Sequence, residues 1–261
     1  MSRHLPYSTI PFALLLLMSG CQQKQKKYPY LIKIDGCTDC SVTLRDLPPS
    51  YNTLHTAQRQ AGQLVLSGTV TQPGVYHIFG HKPTDKNFGI NADIYLPADS
   101  VQLTVLPKEQ EKRTFYHIYQ RLGLGSYLRN IVVFSTSPQQ KELERYLYLN
   151  DSLWNKFFVD KSLVTAKLVQ TYDSGNRALV EQWSDSARLF EGRFPKYMAE
   201  SSVLFAKQYP HSDLTAYALL DNAKTTNVQP LLRPYYRALP DSLKQSYYGK
   251  LLAKEFEKLE K

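Results

Sequence analysis

An α+β fold is what the sequence predicts: an antiparallel, sandwich-like β module over residues 28–136, then a helical module over residues 137–261. Three observations carry that expectation. Apolar residues alternate without a break at Ile90, Ala92, Ile94 and Leu96, and again at Val101, Leu103 and Val105. Period-two patterning of this kind belongs to strands with one buried face. The texture then changes at Ser137-Pro138-Gln139-Gln140, which reads as a helix start, with Ser as N-cap, Pro at the first helical position and Gln at the third. A chain that is 43% hydrophobic and 21% charged can bury a core of that size.

The β elements follow in order. Residues 29–34 and 41–44 are short strand candidates, and 63–70 carries Leu64 and Leu66 on one face. Residues 75–79 form a further run. Pro97-Ala98-Asp99-Ser100 separates the two alternating runs and is turn chemistry. Several short strands at close spacing, with Gly and Pro between them, predict an antiparallel sandwich or barrel-like sheet.

In the second half, Leu143, Tyr146, Leu147, Leu149 and Trp154 recur at helical spacings, and residues 160–171 continue as helix. Helices are expected over 174–192, over 194–208 (stopped by Pro210), over 212–222 and over 228–239. A last one is expected over 241–261, with Asp241 as its N-cap. Aromatic and aliphatic residues at such spacings belong to a packed core.

The first residues have a different logic. Arg3 and His4 precede a short apolar run over 11–18, then Ser19, Gly20 and Cys21. The run is far shorter than the roughly 20 residues a bilayer span needs. It has the layout of a secretory signal, and with Cys directly after Gly20 it resembles a bacterial lipobox. That resemblance implies cleavage after residue 20, lipidation of the Cys21 thiol and acylation of the new amine. Residues 21–27 then form a polar tether with Lys24, Lys26 and Lys27 beside the membrane. The expected location is the cell envelope, anchored by lipid, on the periplasmic face of the outer membrane. The formal net charge is +9. The basic residues are scattered, so this charge reads as a solubilising surface with a basic stub beside the membrane; as a partner for an exported protein, anionic lipid or acidic glycan fits it better than nucleic acid.

A family resemblance runs along the mature chain. Residues 30–36 (Tyr-Leu-Ile-Lys-Ile-Asp-Gly), then 41–44, 63–68 and 92–105, resemble the DUF4369 module. That module forms the N-terminal part of many Bacteroidota lipoproteins whose C-terminal part is a thioredoxin-like thiol-disulfide oxidoreductase. Residues 130–138 look like that family's last strand and its Ser-Pro step into the helices. Residues 205–212 and 246–250 are similar to its later helix junctions. The relatives carry a Trp-Cys-x-x-Cys motif after the last helix. None follows here and no cysteine lies beyond Cys40, so their redox chemistry is not carried over.

Cys37-Thr38-Asp39-Cys40 is a C-x-x-C. A redox pair of this kind normally opens a helix, whose N-terminal field lowers the first thiol's pKa. Here the motif follows Asp35-Gly36 and runs into a strand, which places it in a turn. Two thiols are too few for a closed zinc site. The simplest fate in an oxidising compartment is a local disulfide clamping the turn; the alternative is a redox-active pair.

The remaining motifs point to no chemistry. His77 and His81 stand four apart in a strand context, with Asp85 and Asp93 as possible oxygen donors, and nothing in the spacing fixes a metal geometry. Gly123-Leu124-Gly125-Ser126 lacks the lysine of a phosphate loop. No Gly-x-Ser-x-Gly elbow occurs. Asp-Ser triplets at Asp99, Asp151, Asp185 and Asp241 are similar to an O-glycosylation sequon of exported Bacteroidota proteins. The 19 tyrosines form no clustered strip, which favours core and sheet over a glycan-stacking surface.

The expectation is therefore a non-catalytic binding or interaction module with no cofactor and no metal. Its partners are the membrane, through Cys21, and an envelope protein. Thiol-disulfide exchange through Cys37 and Cys40 is one alternative reading. Binding of a glycan or peptide on the exposed face of the sheet is another.

Overall fold

The computed structural model describes residues 26–37, 39–46, 52–98, 100–106 and 131–258. The signal segment, Cys21, most of the tether, Asp99 and residues 123–126 lie outside the described residues.

The chain is α+β, as its patterning predicts. The first strands are β1 (Tyr28–Asp35), β2 (Ser41–Arg45), β3 (Thr53–Thr56), β4 (Gln58–Gln60) and β5 (Gln63–Val70). Then come β6 (Gly74–Lys82), β7 (Asp85–Leu96), β8 (Val101–Val105) and β9 (Ile131–Ser135). They form a five-stranded sheet in the order β4-β5-β1-β8-β9 and a four-stranded sheet in the order β3-β2-β6-β7. One inner face is built by Ile32, Ile34, Leu66 and Leu103, the other by Leu44, Ile78, Ile90 and Ile94. All eight belong to one buried cluster. Each such side chain contributes about 1.5–3 kcal/mol by leaving water.

Two features depart from the expectation. The sheet is not wholly antiparallel: β1 and β8 run parallel, with Ile32 opposite Val101. Between β1 and β8 the chain builds all four strands of the second sheet and, midway, β4 and β5 of the first, and a long connection of that kind permits a parallel neighbour. The short strands β3 and β4 had no apolar signal because they are edge strands of mainly exposed, polar residues. Such edges deter pairing with other chains.

The helices are α1 (Pro138–Asp173), α2 (Arg177–Glu191), α3 (Phe194–Gln208) and α4 (Asp213–Ala223). A 3₁₀ turn (Thr226–Val228) precedes α5 (Gln229–Ala238), α6 (Asp241–Lys244) and α7 (Tyr247–Glu257). Ser137 caps α1 by accepting from the Gln140 amide, with Pro138 just inside. Its 36 residues span about 54 Å at the usual rise. The first part of α1 packs into the helical core through Leu143 and Tyr146. The distal part pairs with α2, which has no buried residue of its own.

The single final helix expected over 241–261 is two helices. Ser246 restarts the chain by accepting from the Gly249 amide. A Cβ on Gly249 would stand 2.0 Å from the Leu243 carbonyl oxygen and 2.6 Å from that of Lys244. Only glycine lets α7 lie so close across the end of α6.

The helical core of Leu143, Phe205, Leu214, Leu219, Leu232 and Leu252 also includes Val75 and Tyr95 from the sheet. Their strand neighbours Tyr76 and Ile94 point into the sandwich. Alternation thus gives β6 and β7 a second buried face, and the architecture is sheet on sheet on helices.

Candidate functional site

At the end of β1 the chain turns through Gly36, whose φ is +83° and whose absent Cβ would meet the Val105 carbonyl oxygen at 2.1 Å. Cys37 and Cys40 follow as a disulfide, with Cα atoms 5.7 Å apart. They are 7% and 8% exposed and belong to the sandwich core. Asp39 projects outward between them. Its carboxylate accepts from the Thr84 hydroxyl at 3.1 Å and pairs with Lys82 at 3.4 Å. The motif leads into β2, so no helix end stands behind either sulfur.

The histidines separate. His77 pairs with Asp93 at 2.9 Å, directly across the β6–β7 ladder. His81 lies opposite Gly89 on the same ladder and is exposed. The Tyr30 hydroxyl and the His55 ring are hydrogen-bonded. Cys37, Asp39 and Cys40 are the one group among the described residues with metal-ligand proximity, and both sulfurs are engaged with each other.

Asp93 also faces the helical module. The Tyr146 hydroxyl donates to Asp221 at 2.7 Å, and Asn222 donates to the Ser202 hydroxyl at 2.8 Å. Burial pushes the Asp221 carboxyl above its ordinary range, and the nearby Asp93 adds to this, while the Tyr146 donor opposes it. Burial likewise raises the Tyr217 phenol, with the Asp93 and Asp221 charges next. This polar seam is mostly closed by its own partners and reads as the joint between sheet and helices.

A different place is open. Lys156 of α1, Arg193 before α3, and Lys196, Tyr197 and Glu200 of α3 line a cleft of about 410 Å³. Aromatic packing holds its walls. Tyr197 meets Phe157 edge-on at 5.5 Å, and Phe194 meets Trp154 at 5.0 Å. The Tyr197 hydroxyl donates to Asp160 at 3.3 Å. Among the described residues, the side chains of Lys156, Arg193 and Lys196 make no ion pair or hydrogen bond. Sequence reasoning missed these residues. The available signal was the run Arg193-Phe194-Pro195-Lys196-Tyr197, with Phe190 and Tyr197 at helical distances from Phe194.

The sheet surface considered for ligands is less suited. The outer face of the five-stranded sheet carries Lys33, Gln102 and Phe134 across neighbouring strands. Asp35 there is occupied by donors from Gln63 and Gln102.

The chain matches no protein-family model and no curated protein.

Proposed function

We propose that the chain is an exported lipoprotein, cut before Cys21 and held to the envelope by lipid on that cysteine, whose folded part is a non-catalytic binding module. The lipobox-like run ending in Gly20-Cys21 supports the address. The helices among the described residues include none long and apolar enough to cross a membrane. The observation that carries the binding reading is the cleft between α1 and α3, where three cations without ion pairs among the described residues line one space beside Tyr197, itself packed on Phe157. In arrangement the chain is similar to the non-redox part of the thioredoxin-like lipoproteins, a strand module followed by helices.

Metabolic labelling with an alkyne-bearing palmitate tests the anchor. The wild-type chain takes up label and sediments with membranes, whereas Cys21→Ser loses both. Full labelling of Cys21→Ser refutes the anchor.

Thiol-disulfide exchange through Cys37 and Cys40 is the second reading. Their pairing speaks for it, but their burial leaves little path for an attacking thiolate. Turnover in an insulin-reduction assay, lost in Cys37→Ser, would establish it over the binding reading.

A further inference from the structure

We propose that the cleft between α1 and α3 binds a small acidic saccharide of the uronate type. Arg193, Lys196 and Lys156 hold the acid group, Tyr197 supports the ring and Glu200 accepts from its hydroxyls. The inference rests on the reading of the chain as a binding module and adds the class of ligand.

Size comes first. A volume of about 410 Å³ lies within the range of small-ligand pockets, about 300–1,000 Å³. One or two sugar rings fit that space.

Charge comes next. Lys156, Arg193 and Lys196 bring three cations to one cleft whose lining has a single carboxylate, Glu200. No carboxylate lies within ion-pair distance of the three among the described residues. Some cations of the helical module find partners, as Lys161 does with Glu191 at 2.8 Å and Arg188 with Asp185 at 2.7 Å, and what sets Lys156, Arg193 and Lys196 apart is that they line one cleft together. Like charges held together without a counter-charge repel one another, and an anion between them relieves that repulsion. The backbone adds to the same field. Arg193 occupies the N-cap of α3, with no capping side chain and no acidic residue in the first turn. The positive end of the helix dipole lies at Arg193, at one edge of a lining that runs on along α3 through Lys196 and Glu200.

Shape and hydrogen bonding narrow the ligand. The guanidinium of Arg193 offers a flat pair of donors matched to a carboxylate. The Tyr197 ring is half-buried, backed by Phe157 and tied through its hydroxyl to Asp160. A ring fixed before binding loses little freedom when a sugar face lies on it. Glu200 stands one turn beyond Lys196 on α3. Its charge opposes a bare polyanion but accepts hydrogen bonds from hydroxyls. A molecule that is acidic at one end and hydroxylated at the other satisfies both sets of groups.

The test is titration calorimetry on the mature chain with four probes: digalacturonate, maltose, inorganic phosphate and phosphatidylglycerol vesicles. Digalacturonate is expected to bind and maltose to give no heat. Arg193→Gln/Lys196→Gln weakens binding by about tenfold or more, as loss of charge-assisted hydrogen bonds does. Both residues are exposed, and an unchanged circular dichroism spectrum verifies the fold. Glu200→Gln reduces the preference for digalacturonate over phosphate. The proposal is overturned by any of four results: no digalacturonate binding, equal binding of maltose, an unaffected double variant, or binding of phosphate or vesicles as tightly as digalacturonate. Because palmitate labelling of Cys21 is read separately, a labelled chain that ignores digalacturonate overturns this inference and leaves the anchor standing.

Discussion

The Val75 amide of β6 donates to the Tyr248 hydroxyl of α7 at 2.7 Å, joining the sheet to the last helix. Val75 lies opposite Tyr95 in the β6–β7 ladder. The Tyr95 amide in turn donates to the Gln140 side-chain oxygen of α1 at 2.8 Å. Both amides of this cross-strand pair are thus taken by helices. Tyr248→Phe removes one acceptor and leaves the Val75 N–H buried without a partner. The expected cost is about 1–3 kcal/mol, read from urea unfolding. A variant as stable as wild type would show that the hydroxyl is not needed at the joint.

Asp221 makes stability depend on pH. Its folded pKa is raised, chiefly by burial. The folded chain therefore holds the proton more tightly than the unfolded chain does. The resulting stabilisation is fully present below the unfolded value, about 3.9, and is lost as pH rises through the folded value. Asp221→Asn removes this dependence. The stability of wild type relative to Asp221→Asn should fall between pH 4 and pH 7 in urea titrations. A difference that stays constant or grows contradicts the burial argument.

Cys37 and Cys40 close a very short loop. Cys37→Ser/Cys40→Ser is expected to cost about 2 kcal/mol, the chain-entropy value for so small a ring. Native protein should also yield its thiols slowly to an alkylating reagent after reduction, because both sulfurs sit at the edge of the core. Rapid alkylation with no loss of stability favours the exchange reading instead.

Gly249→Ala drives a methyl into the Leu243 and Lys244 carbonyls. These are backbone atoms and have no rotamer to change, so α6 and α7 must separate. Thermal unfolding should show a loss of about 1–3 kcal/mol. Gly62→Ala, where nothing lies within 4 Å of the added methyl, is a control for positive φ alone.

The alternation at Ile90–Leu96 and at Val101–Val105 was legible because burial of one sheet face leaves a local period of two. The start of α1 was legible for a similar reason, since Ser137 and Pro138 act on amides within one turn. The parallel pairing of β1 with β8 was not, because strand direction depends on the path of the chain through the other sheet. The break before Gly249 left no trace in the helical spacing, only the resemblance of residues 246–250 to a helix junction, since its constraint comes from the carbonyls of α6. His77 and Asp93 were each visible as polar residues in strands, but their pairing needed the register of the β6–β7 hairpin.

By itself the sequence determined the type of most segments and the cap at Ser137, because these rest on hydrogen bonds and burial repeats that span a few residues; Asp241, expected as an N-cap, is instead the first residue of α6, behind Pro240. The tertiary structure alone decided which surfaces meet. Val75 reaches Tyr248, and Lys156 joins Arg193 and Lys196 around one cleft, across long stretches of chain. Such meetings depend on how whole faces pack, and no local period records that.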